Sequence, residues 1–222
     1  MRPVLPVLLF AASAQALDVR VDFSLAGGTG GQGWNSLSAA TLVGGTTSLI
    51  DHGTGQASGL SITGTGWTTD YSGGAFSVLP AWYDGGVGAQ DRIYFYDSGA
   101  QVGTVVISGL SSLSTYLLEV FSGGDFVDRI ITLNSVVGIS SITQQPDSAW
   151  NGALEGPNGW LEWRGIQTDA NGTITLVVDN LAANYANLSF LRISTPVPEP
   201  STYGLGLGGL ALALAALRRR RR

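Results

Sequence analysis

Six tryptophans, Trp34, Trp67, Trp82, Trp150, Trp160 and Trp163, with Tyr83 directly after the third, are the side chains whose type and setting point most directly to chemistry. Most stand beside glycine or in segments that read as loops. There an indole face can stack on a pyranose ring while a neighbouring Asn or Asp binds the ring hydroxyls. Trp34, Trp67, Trp82, Tyr83 and Trp150 are therefore the candidate glycan contacts. Aromatic rings also fill sandwich cores, so for any one of these residues packing is the first expectation and ligand contact the second. Trp160 and Trp163 are three positions apart, which on a strand puts them on opposite faces and gives at least one to the core.

The other reactive types are sparse. His52 is the only histidine and stands in Ile50-Asp51-His52-Gly53, directly after an apolar strand end. A nucleophilic triad needs a serine elbow, yet no Gly-x-Ser-x-Gly occurs, and Gly109-Leu110-Ser111-Ser112-Leu113 lacks the second glycine. His52 accordingly reads as a turn residue. Glu119, Glu155 and Glu162 are the candidates for the paired carboxylates of a glycosidase. Glu119 lies in Leu118-Glu119-Val120, where alternation puts it on a solvent or groove face, and all three read as solvated charge. No catalytic residue is assigned, and no enzymatic activity is expected. Asp84, Asp91, Asp97, Asp125 and Asp128 fall near turns, the oxygen-rich setting that Ca²⁺ prefers, but neither the EF-hand spacing nor a Gly-Gly-x-Gly-x-Asp array occurs. A structural Ca²⁺ stays open with no residue assigned to it, and no other cofactor is expected. The chain has no Cys and no Lys, which removes thiolate nucleophiles, Cys-ligated zinc, iron–sulfur clusters, disulfides and Schiff-base chemistry.

Both ends of the 222-residue chain read as processing signals. Met1-Arg2 is followed by an apolar run through Ala12 and a small-x-small site at Ala14-Gln15-Ala16, the pattern of a secretory signal peptide over residues 1–16, cut after Ala16. At the other end, Val197-Pro198-Glu199-Pro200 precedes an apolar, glycine-rich stretch from Tyr203 to Leu217 and five arginines, Arg218, Arg219, Arg220, Arg221 and Arg222. The arginines are expected to stay cytoplasmic and to leave the preceding residues across the membrane. The stretch is short against the roughly 20 residues of an ordinary span, which suits a temporary stop. Between the ends, five arginines face fifteen acidic residues, a formal charge of −10. Nucleic acid is thereby excluded as a partner, since phosphate binding needs a basic footprint.

Pro198-Glu199-Pro200, the apolar helix at 203–217 and the arginine cluster at 218–222, in that order, resemble the PEP-CTERM sorting signal of Gram-negative bacteria that make exopolysaccharide. The resemblance covers Val197 to Arg222 and so describes the tail, not the body. It implies a partner, an exosortase-type sorting protease that cleaves near Pro198-Glu199-Pro200. It also implies export through the inner membrane, transient anchoring by the C-terminal helix, and release to the cell surface or extracellular matrix, in association with exopolysaccharide or biofilm.

The body, residues 17–195, is long enough for one substantial core. Its periodicity is two, not 3.6: Val19 to Leu25, Leu60 to Ile62, Phe76 to Leu79, Arg92 to Tyr96, Gly103 to Ile107, Thr115 to Phe121, Val127 to Leu133, Trp160 to Trp163, Thr173 to Val178 and Leu188 to Ile193 read as strands. Turn chemistry separates them, for example Gly44-Gly45, Asp84-Gly85-Gly86 and Asn171-Gly172. The expectation is an all-β fold, an antiparallel two-sheet β-sandwich of jelly-roll type. Val21-Asp22-Phe23, Gly33-Trp34-Asn35, Leu49-Ile50-Asp51, the run from Thr115 to Ser122 and Asp169-Ala170-Asn171-Gly172 are, in their order, similar to the exported jelly-roll domains found beside such tails, which are related to galactose-binding-like sandwiches. That resemblance bears on fold. Three functions follow as expectations: a non-enzymatic surface or matrix protein, a lectin-like carbohydrate-binding module, and, last, a glycan-active hydrolase.

Overall fold

A computed structural model describes residues 16–24, 31–72, 82–83, 91–96, 101–122, 130–134, 142–144, 160–168, 170–180 and 185–195. Among them the chain forms β1 (Asp18–Phe23), β2 (Asn35–Leu37), α1 (Ala39–Gly44), β3 (Thr47–Ile50), β4 (Ala57–Thr65), β5 (Thr69–Ser72), β6 (Asp91–Tyr96), β7 (Val102–Ser108), β8 (Tyr116–Phe121), β9 (Ile130–Asn134), β10 (Ile142–Gln144), β11 (Trp160–Ile166), β12 (Thr173–Asp179), β13 (Tyr185–Leu188) and β14 (Phe190–Ser194). Sheet A runs β11-β8-β14-β1-β2, sheet B runs β10-β9-β12-β7-β4-β3, and a smaller sheet C runs β13-β6-β5. All pairings are antiparallel except β1 with β2.

The expected antiparallel sandwich is what the strands build. Val19, Val21 and Phe23 of β1, Leu118 and Val120 of β8 and Leu191 and Ile193 of β14 share one buried cluster with Ile62 of β4, Val105 and Ile107 of β7 and Ile174, Leu176 and Val178 of β12. The faces differ in a way that locates function. On β7 and β12 buried and partly exposed residues alternate strictly, so sheet B has one core face and one wetted face. On β1, β8 and β14 nearly every residue is buried, so the outer face of sheet A is covered as well.

Three details depart from the sequence reading. The run from Leu188 to Ile193 is two strands, because the chain passes from sheet C to sheet A at Ser189, whose N–H donates to the Phe121 carbonyl at 2.9 Å and whose carbonyl accepts from Phe23 N at 2.8 Å. A six-residue helix, α1, stands where no helix was expected. Ser38 caps it by accepting from Thr41 N at 3.1 Å, the Asp70 carboxylate of β5 accepts from Ala39 N at 2.6 Å, and its buried Leu42 packs over Gly64 of β4. The Asp70 and Gly64 contacts are tertiary, and the helix is too short to carry a legible period. Finally, β2, β3, β5 and β10 were not anticipated; each is only three or four residues long and takes its identity from the neighbour it pairs with. Phe76 to Leu79 lies outside the described residues.

Candidate functional site

The covered outer face of sheet A is the place where the chain collects charge and aromatic rings. Register sets Glu162 of β11 opposite Glu119 of β8, Glu119 opposite Arg192 of β14, and Arg192 opposite Arg20 of β1. Four charged side chains thus form one row across four strands on the face away from the core. Residue 82, from the β5–β6 connection, closes over this row.

Five residues make a closed circuit there. Oδ1 of Asp18 accepts from Arg192 Nε at 2.7 Å, and Arg192 Nη1 donates to Oε2 of Glu119 at 3.2 Å. Oε1 of Glu119 accepts from the Trp82 indole N–H at 3.0 Å, the Trp82 carbonyl accepts from Arg20 Nη1 at 2.6 Å, and Arg20 Nη2 donates to Oδ2 of Asp18 at 2.8 Å. Both guanidiniums also lie against the Trp82 ring, Arg192 at 5.0 Å and Arg20 at 5.4 Å from its centroid. The circuit fastens the β5–β6 connection to a sheet that it is not part of.

The two carboxylates respond oppositely to this setting. For Asp18 burial is the largest single influence and pushes upward, but the hydrogen bonds and charges of Arg20 and Arg192 together outweigh it and hold the carboxyl below its ordinary value. For Glu119 burial dominates and the nearby Glu162 adds to it, so its carboxyl lies above the ordinary value despite Arg192 and Trp82. The expectation that Glu119 is solvated charge is corrected here: the residue is 4% exposed, with both oxygens engaged. Trp82 covers the outer face that strand alternation alone leaves open. Glu162 is half-buried and pairs with Arg164 on its own strand.

An aromatic cluster continues the circuit toward the other end of β14. Trp34 stacks on Trp82 at 6.3 Å and 25° and meets Tyr83 at 5.0 Å. Tyr83 lies 4.9 Å from Phe190, which in turn stacks on Phe121 at 4.8 Å. Gly33, at φ +85°, delivers Trp34; a Cβ there would meet the His52 carbonyl at 2.7 Å. Asn35 fixes the same segment, accepting from Ile50 N at 2.8 Å and donating to the carbonyls of Arg20 at 2.9 Å and Ile50 at 3.0 Å. His52 sits in the turn after β3, as expected, with its backbone N–H donating to the Asp18 carbonyl at 2.7 Å and its ring edge-on to Trp34.

Of the five candidate glycan contacts, the fold brings three together. Trp82 and Tyr83 are half-buried, the Tyr83 hydroxyl wholly so, and Trp34 is buried against both rings. Trp67 is elsewhere: it is buried in the core, donates to the Thr104 carbonyl at 2.8 Å and packs with Phe95 over Gly103, so it is a packing residue and not a contact. Trp163 is likewise core. Trp150, Glu155, Ala14, residues 198–200, the apolar stretch 203–217 and the arginines 218–222 lie outside the described residues, as do Asp84, Asp97, Asp125 and Asp128. Among the described residues no group of three or more His, Asp or Glu is placed to hold a metal ion, and no helix is long and apolar enough to cross a membrane. Arg20 and Arg192 were not anticipated as site residues. A clue exists in Val19-Arg20-Val21, Leu118-Glu119-Val120 and Leu191-Arg192-Ile193, three charges of complementary sign each set between apolar neighbours.

Comparison with known proteins places the tail. Residues 196–222 match the PEP-CTERM protein-sorting motif, so the chain carries a sorting signal of that class at its C-terminus. No curated protein matches the chain. Among solved structures it is similar to TmCBM61, determined in complex with β-1,4-galactotriose, at 16% identity and a TM-score of 0.34 over 48% of this chain and 72% of that one. It is also similar to an exo-β-1,3-galactanase from Phanerochaete chrysosporium determined with galactose, at 22% identity and a TM-score of 0.31 over 65% of this chain. The chain spans about a third, 32%, of that galactanase.

Proposed function

We propose that this is an exported protein, released from a signal peptide after Ala16 and cut near Pro198-Glu199-Pro200 by an exosortase-type protease, whose sandwich serves as a non-enzymatic component of the cell surface or extracellular matrix. The sorting motif at 196–222 carries this reading. The ends of the body support it: Leu17 N donates to Thr195 Oγ1 at 2.9 Å and Thr195 N donates to the Leu17 carbonyl at 3.0 Å, so cuts on either side leave a body whose termini are tied together. Before processing, the tail helix anchors the body in the inner membrane of a Gram-negative cell.

Contact with extracellular polysaccharide is the role we assign to the exposed part of the half-buried Trp82–Tyr83 pair. Trp82 is fixed by the circuit and Tyr83 by its ring contacts with Trp34 and Phe190, so both have little rotamer freedom to lose on stacking against a sugar. The same rigidity favours a second reading, a lectin-like module with one defined glycan. A glycan array separates the two, with a single strong class for the lectin and broad weak binding for the matrix component.

The sorting step is tested by replacing Pro198-Glu199-Pro200 with alanines in a host that has the protease. Prolines on both sides of Glu199 hold an extended strip that a protease cleft can accept. The variant should insert normally but accumulate at full length in the membrane fraction. Trimming and release like the wild type would make the motif incidental.

A further inference from the structure

The β5–β6 hairpin carries a second aromatic surface that the sheet A site does not use. In sheet C, Asp70 pairs with Ile93 on the inner face, where Ile93 is fully buried and Asp70 caps α1. The alternate positions, Tyr71 opposite Arg92 and Thr69 opposite Tyr94, therefore share the outer face. Tyr71 is 45% exposed, and it is the one aromatic among the exposed large apolar side chains of the described residues, the others being Val43, Val102 and Leu113. Its ring is nonetheless held: the Arg92 guanidinium lies 4.6 Å from its centroid and the Tyr94 ring meets it edge-on at 6.3 Å and 77°.

We propose that Tyr71 is a stacking platform for one pyranose ring of a neutral polysaccharide, the sugar lying on the ring face that the Arg92 guanidinium leaves open, with Thr69 beside it to serve a ring hydroxyl. The inference rests on the reading of the body as a polysaccharide-contacting domain and adds a site to it. Size selects the occupant. Two tyrosine rings offer at most about 300–500 Å², below the roughly 800 Å² per partner of a stable protein interface, but enough for one sugar. The body's formal charge of −10 disfavours polyuronates at long range, and the Arg92 guanidinium at the site is already engaged with the Tyr71 ring. A ring already fixed by two neighbours gives up little entropy on binding.

Affinity electrophoresis tests this with the full chain in detergent, run through native gels containing the producing cells' own extracellular polysaccharide, a soluble neutral β-glucan, or polygalacturonate. Wild type should be retarded in at least one of the first two gels. Tyr71→Ala should weaken that retardation about three- to tenfold, the range expected for loss of one aromatic contact. Tyr71→Phe should keep it, with the thermal midpoint of both variants unchanged. If Tyr71→Ala runs like the wild type while Trp82→Ala loses retardation, this inference falls and the polysaccharide reading stands. If the wild type is retarded in none of the gels, both fall. Retardation confined to polygalacturonate overturns the neutral-polymer assignment.

Discussion

The indole N–H of Trp82 donates to Oε1 of Glu119 at 3.0 Å, joining a loop residue to the middle of a strand thirty-seven positions away. Because Arg192 holds the other oxygen of Glu119 and also holds Asp18, one guanidinium connects two carboxylates whose proton affinities have moved in opposite directions. The strap over sheet A is therefore stabilised by groups that respond to pH with opposite signs.

Glu119 gives the first prediction. Its carboxyl is raised in the folded protein, so the native state holds its proton more tightly than the unfolded chain does. The stabilising contribution is present below the unfolded value and is lost as pH rises through the folded one. Glu119→Gln keeps an acceptor for Trp82 but cannot titrate. The wild type should lose stability relative to Glu119→Gln as pH rises through and above the ordinary carboxylate range, as read from urea unfolding followed by tryptophan fluorescence. A pH-independent difference between the two would mean that Glu119 is not desolvated.

Asp18 carries the opposite sign. Burial pushes its carboxyl up, but Arg20 and Arg192 hold it below the ordinary value, so its contribution is present above the unfolded value and lost as pH falls through the folded one. Asp18→Asn should cost about 2 kcal/mol at neutral pH, the scale of charge-assisted hydrogen bonds. The deficit should shrink toward zero in acid. A deficit that persists below pH 3 would point to packing instead of charge.

Gly103 is the position where the core admits no side chain. A Cβ there would lie 2.7 Å from Phe95 Cε1 and 2.9 Å from two atoms of the Trp67 ring, both parts of closely packed aromatic side chains. Gly103→Ala should cost roughly 1–3 kcal/mol by overpacking, lowering the thermal midpoint by about 2–4 °C per kcal/mol. Circular dichroism melts check this, and an unchanged midpoint would show that Trp67 and Phe95 are free to shift.

What could be read in the sequence, and what could not, follows from the range of the interactions involved. The strict alternation of Thr173 to Val178 and Gly103 to Ile107 is local, and those strands stand where expected. The sorting tail is linear and equally legible, which is why residues 198–222 could be read without a fold. Trp34, Trp82 and Tyr83 carried no signal that they would meet, because their contact depends on residues 82 and 83 settling over side chains of β1, β8 and β14. Glu119 was misjudged for the same reason: strand periodicity says which face a residue takes, not what covers that face. Trp67 looked like a loop residue beside Gly66, and only the glycine on the neighbouring strand, Gly103, makes room for it in the core.

Asn35 supplies the last prediction. Its carboxamide accepts from Ile50 N and donates to the carbonyls of Arg20 and Ile50, so one side chain bonds to β1 in sheet A and to β3 in sheet B. It directly follows Trp34, the ring on which Trp82 and Tyr83 rest. Asn35→Ala would leave three partly buried backbone groups without this partner, and a cost of about 2–4 kcal/mol is expected from the desolvation penalty of such groups. Asn35→Asp keeps the acceptor for Ile50 N but loses both donors, so its loss should be at least as large at neutral pH and should ease in acid, when the protonated carboxyl regains one donor. Chemical denaturation measures both costs, and iodide quenching of tryptophan fluorescence reports whether Trp34 and Trp82 become more accessible as the support loosens. Full stability of Asn35→Ala with unchanged quenching would show that β2 pairing alone holds Trp34 in place.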